Sequence, residues 1–492
     1  MKKLFVIIVS ILVVGGYFFF FPESQTNDPK FVSLENGGFR LQGKPFYPIA
    51  INYVAALGTD GKEYWPSPLP EYGPEANLSF LNKDSSFKIL QADFEMIRQM
   101  GFNTVRFTHI GEINREYGAN DWYYIKSYNK NADSSKIVFK DGVMYIKYLK
   151  AIDELVQLAK DAGLKIILLV KMHEEVRSSY EFLENILTHF NNEPAIFAYD
   201  LFNEPLYFHK ANRSKKDIHR ITNNWQKFFK HYAPDQLSTI GLTGIREVFE
   251  WDPNILGVDF ISFHPYDYEP NQIMNEIYWY GKYVNKPWII GETSFSANDD
   301  SIKYTDQNKF AEQTLKQVCD CGGKGYSWWQ YKDVKWGSYH SDYMGIVNWN
   351  GTTINKKGHT IFGTVKPLEK VFQNYIPKKN NNGCIKFDNY YNLSEYKDHR
   401  ILGTIIDDRE NPIEGAVIMG WDKDWNKTVS TVSKKDGTFE LFSNFIYGHW
   451  ITSATNYSTL REGFWHERDS QLDTLTNVTN YNLGKLKLTR LF

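Results

Sequence analysis

From residue 47 to residue 330 the chain alternates two kinds of hydrophobic segment. One is a continuous apolar, β-rich run of about six residues; the other places apolar residues at i, i+3 and i+4, one face of a helix. The continuous runs fall at 47–53, 103–108, 164–171, 196–202, 237–242, 258–264, 287–291 and 325–330. Helical patterns occupy 87–100, 144–162, 180–191, 217–232, 271–284, 306–319 and 365–375, with only a short helix in 245–256. Strands that read as unbroken apolar runs are buried on both faces, which predicts parallel pairing under a layer of helices. Eight such strands close on themselves and remove both edges, so the expected fold is α/β, a (β/α)8 TIM barrel. A doubly wound open sheet is the structural alternative. It would hold its ligand beside a Gly-rich turn, and no G-x-G-x-x-G follows any run.

The flanks read differently. Asn36-Gly37-Gly38 between two short alternating pieces signals a hairpin just before the first run. Two connections after strands are long, 54–86 and 110–143, and carry Trp65, Tyr72, Trp122, Tyr123 and Tyr124. Loops in that position line the mouth of a barrel, so these rings are either a cleft wall or ordinary loop packing. Residues 377–399 are polar and rich in Asn and Lys, the composition of a linker. Beyond it, short strands at 401–406, 416–421, 428–433 and 438–442, with turns at Asn411-Pro412 and Lys435-Asp436-Gly437, predict a small all-β sandwich domain.

At the other end, Lys2 and Lys3 precede an uncharged run, 4–21, closed by Pro22 and Glu23. Its length approaches that of a membrane span at about 1.5 Å per residue, and no small-x-small cleavage site follows. The expectation is an N-terminal hydrophobic segment that anchors the chain in a membrane with the rest outside the cytoplasm; a cleaved signal peptide is the alternative. The expected organisation is thus 1–30 anchor or signal and linker, 31–376 barrel, 377–399 linker and 400–492 sandwich.

Composition narrows the chemistry. With 56 Lys+Arg against 58 Asp+Glu the formal charge is −2, so nucleic acid is not an expected partner. Three cysteines, Cys319, Cys321 and Cys384, predict no disulfide framework, and the first two stand too close for a disulfide or a closed zinc site. They read as small buried fillers. Aromatic residues make 16% of the chain, enough either for a ring-rich core or for stacking on sugars.

Two runs end in glutamates. The fourth reads Ile196-Phe197-Ala198-Tyr199-Asp200-Leu201-Phe202-Asn203-Glu204-Pro205, and the seventh Trp288-Ile289-Ile290-Gly291-Glu292-Thr293. An acid just past a buried barrel strand points into the mouth or caps the next helix. Strands four and seven face each other across an eight-stranded mouth, and two facing carboxyls suit cleavage of an acetal. One protonates the leaving oxygen and the other works at the anomeric carbon.

With these residues in place the chain resembles glycoside hydrolase family 5 and its clan of retaining β-glycosidase barrels, including mannanases and endoglucanases. The matching pieces are Gly101-Phe102-Asn103-Thr104-Val105-Arg106-Phe107, Asn203-Glu204-Pro205, Ser262-Phe263-His264-Pro265-Tyr266, Gly291-Glu292-Thr293 and Trp328-Trp329. The resemblance implies Glu204 as general acid/base and Glu292 as nucleophile, with Arg106 and Tyr266 holding Glu292 ionised. It further implies Asn203 on the sugar 2-hydroxyl, His264 orienting the acid/base side, and Trp329, with Trp328 as competitor, as the floor under the sugar. The C-terminal domain resembles the carboxypeptidase regulatory-like modules through Gly403-Thr404-Ile405-Ile406-Asp407 and Asp436-Gly437-Thr438-Phe439. Its Trp421, Trp425, Trp450 and Trp465 form either core and interface packing or a sugar-binding face.

The implied activity is retaining hydrolysis of an extracellular polysaccharide or oligosaccharide of β-1,4-mannan or β-glucan type, without metal or cofactor. An exo-acting β-glycosidase of the same clan and a non-catalytic cell-surface carbohydrate-binding protein are the alternatives. Met172-His173-Glu174-Glu175 is no metalloprotease motif, because Arg177 stands where H-E-x-x-H needs its second histidine.

Overall fold

The computed structural model describes residues 30–70, 72, 82–112, 114–116, 122–131, 133–139, 142–172, 177–208, 213–267, 270–378, 383–391, 396–460 and 480–492. The hydrophobic segment 4–21, His173 and Trp465 lie outside them. No helix among the described residues is long and apolar enough to cross a membrane.

Eight parallel strands close into a barrel: β1 (Ile49–Thr59), β2 (Thr104–His109), β3 (Lys165–Leu169), β4 (Ile196–Asn203), β5 (Leu237–Leu242), β6 (Ile261–Phe263), β7 (Trp288–Ile290) and β8 (Tyr326–Trp328). Each pairs with the next, and β8 pairs back onto β1 through Tyr326 opposite Ile49 and Trp328 opposite Ile51. Helices fill the outer layer because one face of each is apolar. In Lys215–Tyr232, Ile218, Ile221, Trp225 and Phe229 are buried at helical spacing, and Ser214 caps the first turn by accepting from the Asp217 amide. Trp225, Trp251, Trp279 and Trp328 are all fully buried, which accounts for much of the aromatic richness by packing.

The N-terminal hairpin pairs Val32–Glu35 with Gly38–Leu41 across a tight turn whose central residues, Asn36 and Gly37, both have positive φ, 51° and 71°. Its Val32 and Phe39 pack with Ile167, Phe197, Leu237 and Ile289 of the barrel strands. This closes the N-terminal end of the barrel and leaves the other end as the mouth.

The two long connections are not plain loops. After its barrel portion β1 runs on to pair antiparallel with Tyr64–Pro68, and the second connection folds into Asn114–Glu116, Trp122–Tyr128 and Ser134–Val138. Leu57 of β1 pairs with Ser127, so these strands extend the barrel sheet above the mouth. Trp65 and Tyr72 are buried, which makes them packing residues; Tyr124 is half-buried with Lys136 Nζ 4.6 Å from its ring centre.

The cysteine expectation is corrected. Cys321 forms a disulfide with Cys384, 63 residues further on. Spacing between Cys319 and Cys321 concealed this because the partner arrives through tertiary packing. Gln317 Nε2 donates to the Ile385 carbonyl at 2.6 Å, and the Tyr278 and Tyr390 rings meet edge to face. Segment 383–391 is therefore pinned to the barrel's outer helices. Cys319 is buried and takes no part in the disulfide, as expected of a filler.

The C-terminal domain is a sandwich of two three-stranded sheets. One orders Thr438–Ser443, His399–Ile406 and Asn480–Lys487; the other Thr428–Val432, Val417–Asp422 and Tyr447–Ser453. The period of two along Val417–Asp422 divides its loyalties: Ile418 enters the sandwich core with Ile401, Phe439 and Leu441, while Val417, Met419 and Trp421 join the barrel's core. Trp279 Nε1 donates to the Gly415 carbonyl, and Lys215, fully buried, bonds Asp252 and the Ala454 carbonyl. Trp421 is buried and Trp425 stacks on His449, so these two rings pack and do not form an open sugar-binding face.

Candidate active site

Inside the barrel a buried arginine organises the mouth. Arg106 lies midway along β2, opposite Asn52 of β1 and Ile167 of β3, and is wholly buried. Its Nε and Nη2 both donate to Asp200 Oδ2 at 3.1 and 2.8 Å. Nη2 also reaches Asn203 Oδ1 at 2.8 Å, and Nη1 reaches Asn52 Oδ1 at 2.8 Å and Glu292 Oε1 at 2.5 Å. Burial works against the cation, but the Asp200 and Glu292 charges outweigh it and raise the Arg106 pKa, so the group stays charged.

Asn52 turns its amide the other way, donating to the Gly291 and Trp328 carbonyls and to Ser327 Oγ. One planar side chain thereby ties β1 to β7 and β8. Asp200 Oδ1 accepts from the Gly241 amide at 3.1 Å, tying β4 to β5.

Glu292 follows β7 and is held on both oxygens, Oε1 by Arg106 and Oε2 by the Tyr266 hydroxyl at 3.0 Å. Burial pushes its carboxyl above the usual range, while His264 and Arg106 pull it back. Burial and the neighbouring Glu292 also push Tyr266 well above the ordinary phenol value, so its O–H stays available to donate.

Glu204 sits just past β4 in a left-handed conformation, φ 49°, with its amide bonded to the Gly241 carbonyl at 2.8 Å. Such a backbone is costly for a side-chain-bearing residue and is held here by the strand on one side and the helix Pro205–Phe208 on the other. The turn aims the carboxyl across the mouth, where His264 Nδ1 lies 3.1 Å from Oε1. Burial is the main cause that lifts the Glu204 carboxyl to about 7; Arg106 opposes it and Asp200 adds to it.

His264, fully covered, is pushed down to about 4 by burial, so it is neutral near pH 7. Donation from Nδ1 to Glu204 leaves Nε2 to accept from Ser262 Oγ, 3.2 Å away. Glycine is required around this ring: a Cβ at Gly291 would strike Ser262 Oγ and the imidazole, and one at Gly241 would strike the imidazole.

Donor atoms of Glu204, His264 and Glu292 lie within 4.8 Å of one another, the one grouping among the described residues with metal-ligand proximity. The Arg106 charge against Glu292 makes it a poor cation site. Trp329 settles the register: Trp328 is buried with Nε1 donating to the Met344 carbonyl, whereas Trp329 is half-buried, bonds the Thr293 carbonyl through its amide and faces Trp336 at 6.1 Å.

Six of the seven residues singled out in the sequence are joined by these bonds, Arg106, Asn203, Glu204, His264, Tyr266 and Glu292, while Trp329 is tied to their neighbourhood through its amide's bond to Thr293, next to Glu292. Sequence reading missed Asn52, Asp200 and Ser262, which orient them, and Glu247. Glu247, on the short helix Ile245–Phe249, is pushed up to about 8 by burial; its Thr243 bonds oppose this and the Glu204 charge adds to it. Asp200 had a signal, an acid inside an apolar strand that demands a buried cation.

A buried guanidinium beneath two facing carboxyls at the C-terminal mouth of a closed barrel is the site of an acid–base hydrolase. The chain belongs to glycosyl hydrolase family 5: the family's cellulase model matches residues 71–334. It is thus a glycoside hydrolase. Among solved structures, it is similar to the endo-1,4-beta-mannanase from Rhizomucor miehei, at 16% identity over 61% of this chain and 90% of that one, TM-score 0.43. The family 5 mannosidase from the same organism aligns at 11% identity over 70% and 96%, TM-score 0.45. The Bacteroides uniformis beta-glucuronidase 2 aligns at 12% over 92% of this chain and 48% of that one, TM-score 0.46. No curated protein matches the chain.

Proposed function

We propose that the chain is a retaining β-glycosidase that cleaves a β-1,4-mannan or β-glucan by double displacement. The observation that carries this reading is the closeness of the two carboxyls, with nearest oxygens within 4.8 Å. Retention uses a separation of about 5 to 5.5 Å, and inversion about 6.5 to 9.5 Å to leave room for a water.

In this reading Glu292 attacks the anomeric carbon. Arg106 and Tyr266 both hydrogen-bond its anion, whereas Glu204 hydrogen-bonds neutral His264, so when the pair shares one proton that proton belongs on Glu204. Glu204 gives its proton to the leaving oxygen, and the bond to carbon breaks as Glu292 forms a glycosyl ester. Glu204, now a carboxylate, takes a proton from water, which opens the ester and restores both groups. In the same reading Asn203, which Arg106 holds at 2.8 Å, binds the sugar 2-hydroxyl, and Trp329 carries the ring.

The polypeptide is proposed to work outside the cytoplasm, held by residues 4–21. The Cys321–Cys384 disulfide supports an oxidising compartment. Mass spectrometry of the native N-terminus separates an anchored from a cleaved chain.

The test is a panel of mannans, glucans and xylans with the product anomer followed by NMR. Retained configuration at first release is expected, and inverted product removes Glu292 as nucleophile. Glu292→Ala is expected to abolish turnover. Glu204→Ala is expected to keep its first step on activated aryl glycosides and to be rescued by azide. Wild-type activity in either variant overturns the assignment.

A further inference from the structure

Two consecutive carbonyls at the end of β5 carry the backbone of the acid side of the site. Gly241 accepts from the Glu204 amide at 2.8 Å, and Leu242 accepts from the His264 amide at 2.7 Å. The imidazole also rests on Gly241, where a Cβ would strike it. A shift of this strand end therefore moves the Glu204 carboxyl and its imidazole partner together. Glu204 is the more sensitive of the two, because its left-handed backbone persists only while its surroundings hold it.

The group that grips the strand end is Glu247. Its Oε1 accepts from the amide and the hydroxyl of Thr243, the residue directly after Leu242, at 3.2 and 3.0 Å. The Glu247 amide bonds the Gly244 carbonyl at 3.2 Å, so the segment closes on itself between β5 and the short helix Ile245–Phe249. From outside, Glu276 of the helix Pro270–Tyr283 accepts from the Ile245 amide at 3.3 Å and supports the same turn. Glu247 is wholly buried, and burial lifts its carboxyl to about 8; the Thr243 bonds and the Leu206 amide oppose this, while the Glu204 charge adds to it. Leu206 stands two residues past Glu204, so the carboxyl lies where the segments after β4 and β5 meet. Near pH 7 it is a neutral acid. A buried carboxyl is costlier to fold than an apolar side chain, and the double displacement gives this one no proton to move.

We propose that Glu247 is a positioning residue for the acid/base side of the site: through Thr243 it fixes the end of β5, from which Glu204 and His264 both hang. The inference rests on the double-displacement reading, in which the Glu204 proton must reach the leaving oxygen. Glu247 touches no reacting atom, so its loss is felt where proton donation limits the rate and not elsewhere.

The experiment uses the full chain and two leaving groups on the same glycones. These are the β-cellobiosides and β-mannobiosides of phenol, which leaves only when protonated, and of 2,4-dinitrophenol, which leaves as its anion. Glu247→Ala is expected to lower kcat/KM on the phenyl substrates by about 100-fold while the dinitrophenyl substrates lose little. Glu247→Gln, whose amide oxygen accepts both Thr243 bonds, is expected to restore cleavage of the phenyl substrates. Thr243→Val removes one of the two bonds and is expected to show the same dependence on leaving group with a smaller loss; it decides the matter where Glu247→Ala fails to fold. A loss equal on both leaving groups is that of a general structural defect and overturns the inference. Unchanged phenyl activity in Glu247→Ala, or a Gln variant no better than the Ala variant, overturns it too. These outcomes leave the hydrolase reading standing, whereas a wild type that cleaves neither substrate removes that reading and this inference with it.

Discussion

Arg106 Nη1 meets Glu292 Oε1 at 2.5 Å while the other edge of the same guanidinium holds Asp200, both partners of that second pair being wholly buried. The position of the Glu292 carboxyl is thus set from β2 and β4 as well as from its own strand. Lysine offers a point charge that cannot span Asp200, Asn52, Asn203 and Glu292 together. Arg106→Lys is expected to lower kcat by about 100-fold or more. It is also expected to destabilise the fold by about 3 kcal/mol, since Asp200 stays buried with a poorer partner. Steady-state kinetics and urea unfolding check both, and a wild-type kcat in the variant would remove Arg106 from the mechanism.

Activity is expected to fall as pH rises through about 7, where the Glu204 carboxyl loses the proton that the proposed mechanism has it donate. The same shift has a stability consequence of definite sign. In the folded chain Glu204 keeps its proton to about pH 7, and unfolded it releases it near the ordinary value of 4.5. Between those values the folded state binds more protons, so stability declines with rising pH. Glu204→Gln, which stays neutral, is therefore expected to melt above wild type at pH 8 and close to it at pH 4. Melting curves at the two pH values decide; a variant less stable than wild type at pH 8 contradicts the assigned environment of Glu204.

Parallel barrel strands are legible because both faces are buried, so they stand out as unbroken apolar runs: Leu237–Leu242 matches its run residue for residue. The strands β6, β7 and β8 shrink to three residues each because their ends turn away to build the mouth. Glu204 and Glu292 were visible as acids at the ends of apolar runs, whereas Arg106, inside its run, was implied only by the family resemblance. Asn52 and Asp200 were not assigned, because their role exists only once neighbouring strands bring Arg106 between them. The strands of 114–138 escaped notice because they pair with one another and with the far end of β1, a relation absent from local periodicity. The Cys321–Cys384 link was hidden for the same reason.

Reduction of that disulfide is expected to lower stability without touching the mouth. It closes a loop of 63 residues, for which chain entropy alone gives about 4 kcal/mol. Cys384→Ser, or a thiol reductant, should lower Tm while leaving kcat at a temperature below the transition unchanged. An equal Tm with and without reductant would mean that Gln317 and the Tyr278–Tyr390 contact hold segment 383–391 unaided.

The sandwich domain is expected to be indispensable to the barrel even though it supplies no reacting group. Lys215 Nζ, fully buried, bonds Asp252 Oδ2 at 3.1 Å and the Ala454 carbonyl at 2.9 Å, and the Asn456 amide donates to the same Asp252 oxygen. Thr459 Oγ1 reaches the Phe249 carbonyl at 2.6 Å. These bonds brace the segment that follows β5, the one carrying Glu247 near Glu204. Lys215→Met leaves Asp252 as a buried charge without its cation and is expected to cost about 3 to 5 kcal/mol. A chain ending at residue 376 loses the Ala454, Asn456 and Thr459 partners and uncovers the surface that Val417, Met419 and Trp421 cover. It is expected to aggregate or to melt well below the full chain, with activity lost in step with unfolding. A truncated chain with the full chain's Tm and kcat would reduce the sandwich to a spacer, because barrel contacts alone would then suffice to hold the loop beside the acid.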